Sequence, residues 1–381
     1  MKRKFQNIFL ALIILIAAQQ LAVTSACGQT GHYIRVAILQ DASSFSLSIS
    51  GPSQVIDGAG NAVLYSAKHL NTTVTAYKNE ILIAGKIFKT RGLLIKSEGP
   101  QPIIINGRQF NGDINLINKD NGRLLVINKI ELEDYVRGIL YHESSHYWPQ
   151  EALRAQAVVS RTYAFYQMQE NKSKDFDVTS DIYSQVYGGK TSERLRTNEA
   201  VGDTKGQVLT YNNKVIPAYF HATCGGRTED ASLLWNIDIA PLKGVICIFC
   251  KDSPHFRWHN VIPLTQVKSK LRDAGYNIKD IQGIAILDKD RSGRAIDLNI
   301  VSAGKTIRIP AKDFRNIIGP NLIRSTNFQV NLVDDDAVFE GLGWGHGVGL
   351  CQWGAYFMAK QGYGYKQILK YYYPGVNVSP I

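Results

Sequence analysis

Residues 149–165 constrain the fold of this chain more than any other stretch. Pro149 suits a first helical position, where its missing N–H had no partner to lose. The run that follows, Gln150-Glu-Ala-Leu-Arg-Ala-Gln-Ala-Val-Val-Ser-Arg-Thr-Tyr-Ala164, is read as offering little exposed face, since its apolar residues are spread around the helix. Ala152, Ala155, Val159 and Phe165 fall close to one helical face, and Leu153, Ala157, Val158 and Ala164 fill much of the rest. A helix that is apolar nearly all round is buried. Gln156 and Arg161 inside it therefore need partners, because an unpaired buried polar group is costly.

The residues just before it also read as a helix, over 131–141. Leu132, Tyr135, Val136, Ile139 and Leu140 form its apolar stripe, and Glu133 stands four before Arg137. Glu143 then falls at or just past a helix C-terminus, where the macrodipole is negative. That field, with burial among Tyr141, Tyr147 and Trp148, is expected to disfavour the carboxylate and raise its pKa. A carboxyl kept protonated near neutral pH can deliver a proton to a leaving oxygen. Spacing alone leaves a second reading open, a solvated glutamate in a helix–helix turn.

The first 26 residues are set apart as a signal peptide. Lys2, Arg3 and Lys4 form a basic start, residues 8–23 are apolar apart from Gln19 and Gln20, and Thr24-Ser-Ala26 offers small residues before a cut. The apolar run is short for a membrane span of about 20 residues. Cys27 follows directly and is a candidate for lipid attachment, although a lipoprotein signal usually carries Leu where Thr24 stands. An exported, periplasmic or extracytoplasmic location follows, with or without the anchor. Loss of the leader lowers the formal charge from +11 to +8, which suits anionic wall polymers or lipid headgroups. Nucleic acid is excluded by the export signal and by the lack of a basic stripe interleaved with aromatics.

Short apolar runs at 34–39, 45–49, 62–65, 80–83 and 92–96, separated by Gly-, Pro- and Asn-rich turns, make residues 27–110 a β-rich accessory region. Runs at 113–117 and 123–128, joined across Asp120-Asn-Gly122, read as a hairpin leading into the helices. Further strands are expected at 206–210, 215–220, 283–287 and 295–300, and helices at 264–274, 312–318, 352–360 and 365–372. The fold class is α+β, a mixed helical and antiparallel core over 111–381 with the β-rich region in front.

Two other features carry chemistry. His221-x-x-Cys224 and Cys247-x-x-Cys250 have the spacing of a tetrahedral zinc site. Four protein ligands would leave no open position, so the expected role is structural. His255 and His259 are substitutes for His221, and a disulfide among the three thiols competes, since exported chains favour disulfides. Gly341, Gly343, Gly345, Gly347 and Gly349 alternate with Leu342, Trp344, His346 and Val348. No Lys-Ser/Thr follows, which argues against a phosphate cradle. The run is read as a loop lining a groove, with Trp344 or Trp353 offering a flat face to a sugar. The alternative is a strand whose glycines allow close packing, with His346 bonded in the core.

Taken together, Leu132-Glu-Asp-Tyr135, Glu143, Trp148-Pro149, Glu151-Ala-Leu153, Ala155-Gln-Ala157 and Arg161-Thr-Tyr163 resemble the core signature of the SpoIID/LytB family. Those are the sporulation stage II D proteins and the amidase enhancers. Ser184-Gln-Val-Tyr187, Thr204-Lys-Gly206, His221-Ala-Thr-Cys-Gly-Gly226, Ser292-Gly-Arg294, Gly343-Trp-Gly-His-Gly-Val-Gly349, Gln352-Trp-Gly-Ala355 and Tyr372-Tyr-Pro-Gly375 match in family order. The resemblance spans roughly 110–381. It implies a peptidoglycan lytic transglycosylase that cuts between N-acetylmuramic acid and N-acetylglucosamine on stem-peptide-free strands, leaving 1,6-anhydro ends. Glu143 would be its single acid/base. Trp148, Gln156, Arg161, Tyr163, Gln185, Tyr187, Trp344, His346 and Gln352 are the substrate-groove candidates. Zinc is known in the family with a varying ligand set, and Cys351 stands where relatives tend to carry Met, so it is expected to pack as a small apolar side chain. Two rivals remain: a glycan-binding enhancer or recruiter of an N-acetylmuramoyl-L-alanine amidase, and a zinc hydrolase with an open metal position.

Overall fold

Alternation of buried and exposed side chains builds the N-terminal third into two sheets. In the computed structural model, which describes residues 31–59 and 62–381, one sheet has seven strands. Their order is Val178–Thr179, Tyr33–Ala42, Leu124–Glu131, Asp113–Asn118, Gly92–Ser97, Ser53–Asp57, Val63–Ala67. The other has six, in the order Arg108–Phe110, Ile103–Ile105, Ser44–Ile49, Leu70–Tyr77, Glu80–Ile83, Lys86–Phe88. Leu47, Val74 and Ile81 from the second sheet share one core with Val36, Ile95, Leu116 and Val126 from the first. The leader and Cys27 lie outside the described residues.

The expected hairpin is present, with Asn115 opposite Ile127 and Leu116 opposite Val126. Its first strand also pairs with Gly92–Ser97, so the sheet runs straight across the boundary drawn at residue 110. Strand Leu70–Tyr77 escaped the sequence reading because only Leu70 and Val74 are buried along it. Its threonines suit a half-exposed strand without marking it as apolar.

Helix α1 (Leu132–Glu143) buries the expected stripe. Helix α2 (Gln150–Glu170) starts one residue later than read. Pro149 caps it with an extended ψ of 140° instead of occupying its first turn. The burial of α2 has a clear cause: Leu153, Ala157 and Ala164 enter the N-terminal core, while Ala155, Val158 and Val159 enter a second core with Leu209, Leu350 and Met358. The helix is the wall shared by both cores, which leaves it little exposed surface beyond positions such as Glu151 and Arg154, whose side chains are each 31% exposed.

Arg161 has its partner. Its guanidinium forms two 2.8 Å bonds to the carboxylate of Glu133 and donates to the carbonyls of Gln207 and Val201, each at 3.2 Å. This fork ties α2 to α1, to α3 (Leu195–Asp203) and to the strand Gln207–Tyr211. Arg161 is fully buried. Its expected place in the groove is therefore corrected to a structural one.

Among the described residues the remaining α-helices are α4 (Ala231–Trp235), α5 (Leu264–Asp273), α6 (Ala311–Ile318), α7 (Gln352–Lys360) and α8 (Tyr365–Tyr372). Helices α5 and α6 pack with two three-stranded sheets around a third core made only from residues 258–339, including Trp258, Leu298, Phe314 and Phe339. This lobe is inserted between Cys250 and the glycine run. Helices α7 and α8 return to the second core. The architecture is α+β, with the β-rich region at its N-terminal end.

Candidate active site

Glu143 is the last residue of α1. Its carboxylate Oε1 accepts the Val186 N–H at 3.2 Å, and its backbone carbonyl accepts the Gln352 side chain at 2.9 Å. Gln352 also donates to Gln156 at 3.4 Å, so a residue of α2 and one of α7 hold the end of α1. Burial pushes the Glu143 pKa up to about 7, and the Val186 N–H and the Gln352 amide oppose the shift without cancelling it. The crowding does not come from the side first expected. Tyr147 is 78% exposed, and Trp148 packs against Trp353 and Tyr356, each 5.2 Å away.

The carboxyl instead faces a groove of about 550 Å³ whose lining includes Tyr163, Tyr219, His221, Trp235, Arg315, Trp344, His346 and Gln352. Glu143 is the single carboxylate in that lining. Tyr219 and Trp235 stack at 4.3 Å, and the His346 ring stands edge-on to Trp235 at 5.0 Å. These flat, partly exposed rings match the apolar faces of sugars.

Both histidines are neutral. His346 Nδ1 accepts the Val348 N–H at 3.1 Å, and burial, with Arg315 second, lowers its pKa to about 3. His221 Nδ1 donates to the Val348 carbonyl at 3.1 Å. Its Nε2 is buried without a partner, and burial followed by His346 holds the ring well below the usual range.

The glycine run satisfies both readings made of it. Trp344, Gly345 and His346 line the groove, while the intervening glycines pack tightly. Gly345 has φ +111°, and a Cβ there would lie 2.8 Å from His221 Cβ. At Gly349, φ +72°, a Cβ would meet the Tyr219 carbonyl at 2.0 Å. No other residue type fits these positions.

Of the groove candidates, Glu143, Tyr163, Trp344, His346 and Gln352 are assembled together. Trp148, Gln156, Arg161, Gln185 and Tyr187 are not in the lining. Gln185 is buried between Tyr135, at 3.1 Å, and the Ser160 carbonyl. Tyr187 is buried with its hydroxyl on Asn128 at 2.7 Å. The groove lining takes instead Ser184 and Val186, on either side of Gln185. Tyr219, Trp235 and Arg315 were missed. A lone aromatic in a short helix and an arginine in a separate lobe carry no local signal.

The thiol site also departs from the reading. Cys224, Cys247, Cys250 and Cys351 are all buried, with their sulfurs within 4.8 Å of one another. His221 is not among them, so Cys351 is the fourth member and not merely apolar filling. A tetrahedral zinc with ~2.3 Å bonds needs sulfurs roughly 3.8 Å apart, which this cluster suits. Cys351 Sγ accepts the N–H groups of Cys224 at 3.3 Å and Gly354 at 3.4 Å. The Tyr372 hydroxyl lies 3.2 Å from Cys247 Sγ. Such second-layer bonds orient thiolate ligands. All four cysteines are free thiols.

Comparison with known proteins gives a consistent picture. A family model described as Stage II sporulation protein, SpoIID, matches residues 120–211. A domain of unknown function, DUF8618, matches 249–349, the inserted lobe with its flanks. An uncharacterized protein of Brachyspira hyodysenteriae is 34% identical over 91% of this chain and 93% of its own length. Stage II sporulation protein D of Bacillus subtilis is 31% identical over 66% of this chain and 76% of its own. The amidase enhancer of the same organism is 26% identical over 84% of this chain and half of its own length.

Proposed function

Because this chain belongs to the SpoIID/LytB family, we propose that it acts on the bacterial cell wall as a peptidoglycan lytic transglycosylase. The single observation that carries this reading is a lone carboxyl with a pKa near 7 facing an aromatic groove. In the proposed step, protonated Glu143 gives its proton to the oxygen linking N-acetylmuramic acid to N-acetylglucosamine, and the bond from that oxygen to the muramic anomeric carbon breaks. The Glu143 carboxylate then takes the proton of the muramic 6-hydroxyl as O6 closes on the anomeric carbon. The products are a 1,6-anhydro end and a free hydroxyl on the departing sugar, and Glu143 ends protonated as it began. One carboxyl suffices because the nucleophile belongs to the substrate, whereas two-carboxylate glycosidases keep a second acid at a set distance.

The aromatic stack of Tyr219 and Trp235 would seat the sugar rings, and the neutral imidazoles would offer hydrogen bonds without competing charge. Gln156 supports the groove through its hydrogen bond with Gln352, and Gln185, Tyr187 and Arg161 are buried structural residues. We further propose that the four cysteines bind one structural zinc, joining the Cys247 loop to the start of α7. Four thiolates fill the tetrahedron, which disfavours a hydrolytic metal. The leader and the substrate together place the protein, in this proposal, in the extracytoplasmic envelope, with Cys27 as the candidate anchor.

Digestion of peptide-free strands tests the reading. Wild type is expected to release 1,6-anhydro products and Glu143→Gln none; equal release by both removes Glu143 as the catalyst. The similarity to an amidase enhancer favours a second reading. In it the groove holds strands without cutting and stimulates an amidase. Strand binding with no product from wild type selects that one.

A further inference from the structure

Nothing in the proposed chemistry uses the Ser292-Gly-Arg294 motif. It lies in the turn between strands Gly283–Lys289 and Ala295–Ser302 of the inserted lobe, and there it meets Glu229 of the core. Ser292 Oγ stands 2.6 Å from Asp290 Oδ1 and 3.0 Å from Glu229 Oε2. The Arg294 guanidinium donates to the same Oγ at 2.9 Å. Glu229 is 2% exposed and Arg294 fully buried.

A hydroxyl has one hydrogen and two lone pairs. Asp290 Oδ1 also accepts the N–H groups of Ser292 at 2.7 Å and Arg294 at 3.1 Å, so it is the carboxylate and takes the hydroxyl hydrogen. Arg294 fills one lone pair. Glu229 Oε2 can complete the set only by donating, which means that Glu229 carries a proton. Its other oxygen accepts the Asp230 N–H at 2.7 Å. Among the described residues, the charged groups that act on Glu229 are Asp290 and Arg294. The Asp230 carboxylate is engaged by Ser232 and Lys243. Burial first, then Asp290, pushes the Glu229 pKa up to about 8 against the pull of Arg294. Burial works against the Asp290 charge, but hydrogen bonds from Glu229, Ser292 and Arg294 hold its pKa below the usual value.

The cluster joins three parts of the molecule. The Glu229 N–H donates to the Gly347 carbonyl at 2.9 Å, and the Arg294 guanidinium packs on Gly347, where a Cβ would come within 2.5 Å of it. Arg294 also donates to the carbonyls of Cys224 at 2.7 Å and Arg227 at 3.1 Å. Behind the turn, Leu298 and Ile300 share the lobe core with Phe314 of α6, the helix that brings Arg315 to the groove; the glycine run supplies Trp344, Gly345 and His346 to the same lining. We propose that the Glu229 proton fastens the inserted lobe to the glycine run, so that its loss at alkaline pH loosens two stretches of the groove lining together. Glu229 is thereby a positioning residue, and it acts in this way whatever the groove binds. When the joint opens, Glu229 reaches water and releases its proton near the ordinary 4.5, whereas the closed joint keeps it to about 8. Opening therefore becomes easier as pH rises through that window and levels off above it.

Hydrogen exchange read by mass spectrometry at pH 6 and pH 8, corrected for the intrinsic pH dependence of exchange, provides the test. A Glu143→Gln background removes the titration of the other raised carboxyl. In that background, protection over residues 283–302 and 344–349 is expected to fall about tenfold or more between the two pH values. At both, these segments should exchange faster than α2, as a joint that opens without global unfolding requires. Adding Glu229→Gln, whose side-chain amide can still donate to Ser292, should make protection the same at pH 6 and pH 8. Adding Asp290→Asn instead, which removes the facing negative charge, should shrink the fall. Protection in the parent that does not change with pH, or a fall that persists undiminished in Glu229→Gln, overturns the proposal. So does exchange at the joint no faster than in α2. Should Glu229→Gln not fold, the parent and Asp290→Asn decide: an undiminished fall in Asp290→Asn overturns it. None of these readouts depends on strand cleavage, so the glycan reading stands or falls separately.

Discussion

Replacing Glu143 by Gln should stabilise the protein while removing its proposed chemistry, and the effect should depend on pH. The unfolded chain releases this proton near 4.5, whereas the folded chain keeps it to about 7. Folding therefore becomes progressively less favourable as pH rises through that window, because the native state must either hold the proton or bury a charge. The interval corresponds to about 3 kcal/mol once the group is ionised in both states. Gln is a neutral isostere that can still accept the Val186 N–H, so it escapes the cost. Denaturant melts of wild type and Glu143→Gln should coincide at pH 4 and separate by about 3 kcal/mol at pH 8 in favour of the variant. Strand cleavage by wild type should decline as pH rises above about 7, following loss of the acid form. A stability difference that is the same at both pH values would mean that the carboxyl is solvated and would refute the reasoning.

Three further outcomes are expected. If the four cysteines hold the proposed zinc, Cys351→Ser should remove most of the metal read by elemental analysis, whereas His221→Ala should leave it in place, because His221 Nδ1 is engaged with Val348 and lies outside the thiol cluster. Arg161→Met should cost about 3–5 kcal/mol in denaturant unfolding, since it strands the Glu133 carboxylate in the interior. Trp235→Ala should weaken binding of a chitin oligomer about tenfold with no change in melting behaviour, as the ring is 36% exposed and contributes a face instead of a core contact.

How far the site was legible depends on the distance over which each feature is specified. Glu143 stood out because its helix, the Trp-Pro start and α2 are consecutive, although spacing alone left a solvated glutamate equally open and the family resemblance decided for the acid. The burial that raises its pKa could not be read locally, because the groove lining around it includes Tyr219, Trp344 and Gln352 from far along the chain. Arg161 shows the converse error. A buried arginine in a motif looks functional until its guanidinium is seen to be engaged by the Glu133 carboxylate and two backbone carbonyls. The cysteine pairs announced a cluster by spacing, yet its fourth member stands 127 residues from Cys224 and was judged to be packing.

The sequence by itself determined the short-range matters: α1 and α2, the hairpin before them, the α+β class and the motifs that mark the family. Each follows from periodicity, turn chemistry and the need to bury apolar surface within a few tens of residues. Tertiary structure alone decided which side of Glu143 is crowded, which sulfur completes the thiol cluster and which lobe brings Arg315 to the groove. Those outcomes depend on packing between segments far apart in the chain, where the energy of contact belongs to pairs that no local window contains.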